Sequence, residues 1–133
     1  MADNLSDYLE NKLLDHSVGK TAFTMPTVYV ALFTSATNDT TGGTEVSTSG
    51  TAYAREATAG ADWNAASGGA TSNANAIEWA TATASWGTVT HIALYDAVSG
   101  GNRLWHGALS ASKAIDTGDI FRLPAGELDL SLA

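Results

Sequence analysis

Three histidines, 14 carboxylates and four tryptophans are the side chains through which this chain of 133 residues could do chemistry; it has no cysteine. His91 and His106 fall on neighbouring predicted strands joined by the turn Ser99-Gly100-Gly101-Asn102, with Asp96 close by. Facing each other, they could hold a metal or form an acid–base pair. They read better as half-exposed strand histidines packed among tryptophan and tyrosine. Neither a His-x-His nor a helical His-x-x-x-His spacing supplies a local ligand pair, and His16 stands far off in sequence. Asp116 and Asp119 flank Gly118, but calcium takes about six to eight oxygens, so a plain turn is the stronger reading. The missing cysteine excludes disulfides, thiolate catalysis and thiolate metal sites. Nucleophile-elbow, phosphate-loop and dinucleotide fingerprints are absent, and none of the acids lies within an apolar stretch as a raised-pKa general acid would. The sequence predicts no enzyme, no metal and no cofactor.

The tryptophans divide in two. Trp79 and Trp105 sit on strand alternation and are expected in the core. Trp63 and Trp86 lie in loops and are candidate contact residues, either as a stacking platform for sugars or as plugs closing the ends of a sandwich.

The elements that would position these groups are short. Leu5, Tyr8, Leu9, Leu13 and His16 share one helical stripe. Asp3 or Asn4 is the expected cap, Asp7 a first-turn acid and Gly19 the stop. Leu14 projects among Asp7, Glu10 and Asn11. It is either one exposed leucine or a contact with a second protein, and it joins Trp63 and Trp86 as a partner-binding candidate. The segment TVYVALFT, residues 27–34, is apolar on both sides, as a central strand covered on both faces should be, with Pro26 at its start. Residues 35–51 form a long loop of Ser, Thr, Asn, Asp and Gly, a candidate for contact or mobility. A short strand is expected over 53–58, a small-residue loop over 59–73, and a half-buried strand over 75–80. Further strands are expected over 89–97, 103–110 and 120–123, and Leu128, Leu130 and Leu132 line one side of a last one.

One helix and about seven strands, with turns between and no βα alternation, predict an all-β chain. The expected fold is an antiparallel β-sandwich, jelly-roll or immunoglobulin-like, with one short N-terminal amphipathic helix. A single domain spans 1–133, with the helix in 1–19 and the sandwich in 27–133.

Charged residues make up 15% against the usual figure of about 25%, so Ala, Gly, Ser and Thr must cover the surface. Net charge is −8, from 14 acids against Lys12, Lys20, Arg55, Arg103, Lys113 and Arg122, scattered singly. Without a cationic cluster, neither nucleic acid nor an anionic membrane is an expected partner. No apolar run approaches the roughly 18 residues of a membrane span. The polar, acidic start MADNLSDYLENKL leads us to expect no export signal and no anchor.

MADNLSDYLENKLLDH, VYVALFT, TATASWGTVTHIALYDA, GGNRLWHGAL and AGELDLSL together resemble small tailed-phage virion proteins, labelled tail-fibre-like or known as capsid decoration (cement) proteins. The resemblance runs over nearly the whole chain and is weakest in residues 36–73. It implies a non-enzymatic β-sandwich of the virion, assembled in the host cytoplasm, that binds the major capsid protein or other virion proteins and forms a homo-oligomer. Acidity disfavours a place beside packaged DNA, and a long fibre shaft would show repeats or a coiled coil. The expectation is therefore a decoration protein on the outer surface of the head. The alternative is a receptor- or carbohydrate-binding module of the tail fibre or tail tip.

Overall fold

A computed structural model describes residues 4–132. In chain order the elements are β1 (Asn4–Leu5), α1 (Asp7–Ser17), β2 (Val28–Phe33), β3 (Glu56–Thr58), a 3-10 turn (Gly60–Asp62), β4 (Ala70–Ser72), β5 (Ile77–Glu78), β6 (Gly87–Tyr95), β7 (Arg103–Ile115), β8 (Arg122–Leu123) and β9 (Asp129–Ser131). The chain is all-β and antiparallel with one short N-terminal helix, as its patterning predicts.

Five strands form the main sheet in the order β1-β7-β6-β2-β3. Tyr29 to Phe33 of β2 pair with Tyr95 to His91 of β6 without a break. Alternation then sorts the side chains. Val30, Leu32, Ile92 and Leu94 enter the large core, while Ala31, Phe33, Ala93 and Tyr95 form a second cluster on the opposite face. Between Val89 and His91 the β6–β7 register shifts, because β7 carries extra residues there. The bulge lets Val89, three residues before Ile92, join the same core.

Two ribbons, β4–β9 and β5–β8, close over the large core in place of a second continuous sheet. They bring in Ile77, Trp79, Phe121, Leu123, Leu128 and Leu130. Trp79 meets Phe121 edge-on at 5.2 Å. The polar, glycine-containing stretches around these ribbons cannot sustain longer strands, and the chain returns through turns at Gly118 and Gly126, both at positive φ. Asn73 ties the ribbons together. Fully buried, it donates to the Asn75 and Pro124 carbonyls at 2.8 and 3.0 Å and accepts from Leu128 N–H at 2.9 Å.

The N-terminus differs from its expected form. Asn4 and Leu5 pair with His106 and Trp105 as an edge strand, so the helix begins only at Asp7. Its cap is Ser6, whose Oγ accepts from Leu9 N–H and donates to the Arg103 carbonyl; Asp3 lies outside the described residues. The sheet edge removed Leu5 from the helical stripe and moved the cap two residues on. Gly19, at φ +76°, follows the last turn as expected.

Two measurements test this arrangement. Leu32→Ala should lower unfolding free energy by about 2–5 kcal/mol in urea titrations, since Leu32 is fully buried. At the hairpin, Gly100 and Gly101 both have positive φ, so either Ala variant costs about 1–2 kcal/mol of backbone strain. A Cβ on Gly101 would also fall 2.6 Å from Ala97 Cβ and from Asp96 Oδ1, whereas Gly100 faces open space. Gly101→Ala should therefore melt well below Gly100→Ala; equal melting temperatures would contradict this turn geometry.

Candidate functional site

The outer face of the β2–β6 pair brings together Arg55, Arg103 and Glu45. Tyr95 is its centre. The Arg55 guanidinium stacks on the Tyr95 ring, Cζ 3.7 Å from the centroid, and the Arg103 guanidinium lies near the Phe33 ring at 5.0 Å. Arg103 donates to Tyr95 Oη from Nε and Nη2 at 3.1 and 2.8 Å, and from Nη1 to the Asn38 carbonyl at 2.9 Å. Arg55 forms a two-pronged pair with Glu45 at 3.0 and 2.9 Å and donates to the Ala97 and Gly100 carbonyls at 2.9 Å. Burial opposes the Arg55 charge, but the bonds and charge of Glu45 outweigh it and hold its pKa above the ordinary value. Glu45 also accepts from Tyr53 Oη at 2.7 Å. Burial, then the Glu45 charge, pushes the Tyr53 phenol far up, so it stays protonated.

The long loop 35–51 is thereby fastened. Glu45 ties it to Arg55, Asn38 to Arg103, and His106 completes the hold. His106 Nε2 lies 2.8 Å from Asp39 Oδ1, and Nδ1 2.9 Å from Thr37 Oγ1. A proton on Nε2 satisfies both, donating to Asp39 and accepting from the Thr37 hydroxyl. An open cleft of about 420 Å³ lies between this loop, Tyr8 and the hairpin, with Asp7, Asp39 and Glu45 on its walls.

His91 shares the outer face with His106, but its Nδ1 is bonded to Thr90 Oγ1 at 2.8 Å. Asp96 is committed to the turn, accepting from the Asn102 backbone and side-chain amides at 2.7 and 2.9 Å. Asp119 likewise accepts from Asp116 N–H at 2.9 Å. Among the described residues no three of His, Asp or Glu converge as metal ligands would.

The partner-binding candidates are not brought together. Trp86 lies in the core at 4% exposure, edge-on to Tyr53 at 5.4 Å, with Nε1 donating to the Thr51 carbonyl at 2.8 Å. Its ring face is unavailable for stacking a sugar. Trp63 is half-buried, and its Nε1 donates to Thr58 Oγ1 at 3.1 Å. It lines an apolar groove of about 320 Å³ with Leu9, Leu13, Phe23, Val28 and Trp105. Leu14, 63% exposed, lies in the adjoining cleft beside Leu5, Glu10 and Leu13.

Patterning did not single out Arg55, Arg103, Glu45 or Asn73. Arg103 sits opposite Tyr95 only through the register shift between Leu94 and Tyr95, which no turn residue of the sequence signals.

A family model described as "Podophage GP4 fiber I protein gp80" matches residues 4–131. No curated protein matches the chain.

His91 supplies a pH test of this face. Burial, then the neighbouring His106, hold its pKa below the usual value of about 6.5. The unfolded chain thus takes up this proton first. The His91 contribution to stability is complete above about pH 6.5 and lost as pH falls through the folded pKa. Proton NMR should place the His91 titration below that of a free imidazole. His91→Gln should flatten the fall in melting temperature over that window, and an unchanged profile would assign the slope to other groups.

Proposed function

Since this chain belongs to the podophage GP4 fiber I protein gp80 family, we propose that it is a non-enzymatic subunit of a phage virion fibre. The match over residues 4–131 carries the reading, because it spans every strand of the fold and carries the family's printed description as a fiber. Its chemistry is binding. The outer face spends both of its arginines and His106 on holding a loop, and the buried tyrosines and Trp86 serve packing. What remains available to partners is the apolar side around α1 and Trp63, together with a small-residue acidic surface.

The expected role in decorating the head competes with this reading, and location separates the two. Negative-stain microscopy with an antibody against this chain should label fibres, with a copy number per particle far below that of the capsid subunit. Label distributed over the shell in proportion to capsid subunits would overturn the fibre reading in favour of decoration. For receptor binding by Trp63, Trp63→Ala particles should lose host adsorption in proportion to the tryptophan's contribution; unchanged adsorption removes Trp63 from that role.

A further inference from the structure

Fastening the loop does not exhaust Arg103. The residue is 5% exposed, and a cation so deeply buried is ordinarily paired with a carboxylate. Among the described residues none lies within ion-pair distance of it. Its hydrogen bonds run to the Tyr95 phenol oxygen and the Asn38 carbonyl. A guanidinium has more N–H groups than these bonds use, so the remainder lack a partner among the described residues. Arg103 lines the open cleft between the loop, Tyr8 and the hairpin, and two carboxylates on the same walls also have capacity to spare. The exposed Asp7 side chain is bonded to nothing among the described residues, and Asp39 uses only Oδ1, on His106. We infer that this cleft binds a neutral saccharide, one or two sugar units in size.

The mixture of charges selects that class. Glu45 is balanced by Arg55 and already bonded. What remains is a buried cation sharing a cleft with Asp7 and Asp39. An anionic ligand meets both carboxylates, on a chain of net −8, and a cationic one must sit beside an unpaired guanidinium. A sugar hydroxyl carries no charge and both donates and accepts. One hydroxyl can accept from Arg103 while its neighbours donate to Asp7 and to Asp39 Oδ2, and bonds to ionised groups are the stronger kind. Thr40, Thr41 and Asn102 add neutral polar groups to the same walls. Tyr8, half-buried, supplies an apolar wall for the C–H face of a pyranose ring. A volume of about 420 Å³ falls within the range of roughly 300–1,000 Å³ usual for small-molecule sites. The walls are set before a ligand arrives, because Asn38, Asp39 and Glu45 are fixed to Arg103, His106 and Arg55.

The inference goes beyond the fibre reading and is tested on the purified chain, so particle location neither supports nor damages it. The probes are the methyl glycosides of glucose, galactose, mannose and N-acetylglucosamine, each titrated to the order of 100 mM and followed by amide NMR. At least one should give saturable shifts at the backbone amides of Thr40, Thr41, Gly43 and Asn102, with a dissociation constant on the order of 1 mM. Asp7→Ala should raise that constant about tenfold while leaving circular dichroism as in the parent. Tyr8→Ala provides a second variant should the first disturb the helix. No saturable shift from any of the four glycosides overturns the inference. The same shifts produced by acetate or by methylammonium overturn it too, assigning the cleft to an ion. Binding that survives both substitutions unchanged overturns it as well, placing the contact elsewhere.

Discussion

Burial of both faces of the β2–β6 pair is the constraint on which the rest of the molecule depends. One face is satisfied by apolar contact alone: Val30, Leu32, Ile92 and Leu94 lie under the two ribbons. The other holds only Ala31, Phe33, Ala93 and Tyr95, too small a cluster to be covered by a further layer of the same kind. It is covered instead by two guanidinium groups and the loop they hold. A planar, weakly hydrated cation suits this task, since it stacks on an aromatic ring while its edge reaches carbonyls and a carboxylate. Lysine could reproduce the charge but not the stack with its fan of donors.

That solution explains a loop of a length usually associated with mobility. Residues 35–51 have little to bury beyond Val46, yet they meet Arg55, Arg103 and His106 through Glu45, Asn38 and Asp39. The order of the segment is imposed from the sheet. Arg55, Arg103 and His106 are thereby engaged in holding the scaffold together.

Reading the sequence succeeded where period-two alternation meets a hydrophobic boundary. Val28–Phe33, the Gly100-Gly101 hairpin and the burial of Leu128 and Leu130 all follow that rule. It failed where an isolated polar residue is rescued by distant partners. Arg55 reads as one scattered cation because Ala97 and Gly100 lie more than 40 positions away. Asn73 reads as loop because nothing near it predicts the Pro124 and Leu128 contacts. Trp63 and Trp86 look alike in composition. Only the approach of Thr51 and Tyr53 makes Trp86 a core residue while Trp63 stays at the rim.

Asn73 has a consequence for the order of events during synthesis. Two of its side-chain bonds, to Pro124 and Leu128, and the β4–β9 pairing join the middle of the chain to residues 124–131. Pairing of Asn4 and Leu5 with β7 likewise waits for residues beyond 100. Loop-closure entropy must be met before such distant contacts return any free energy. The β2–β6 pair can form early on the ribosome, but the ribbons that cover its apolar face cannot close until residues 122–131 have emerged. Until then Val30, Leu32 and Ile92 lack their lid. A nascent chain stalled short of residue 124 would be a substrate for chaperones, whereas one that has passed residue 131 can close over its core.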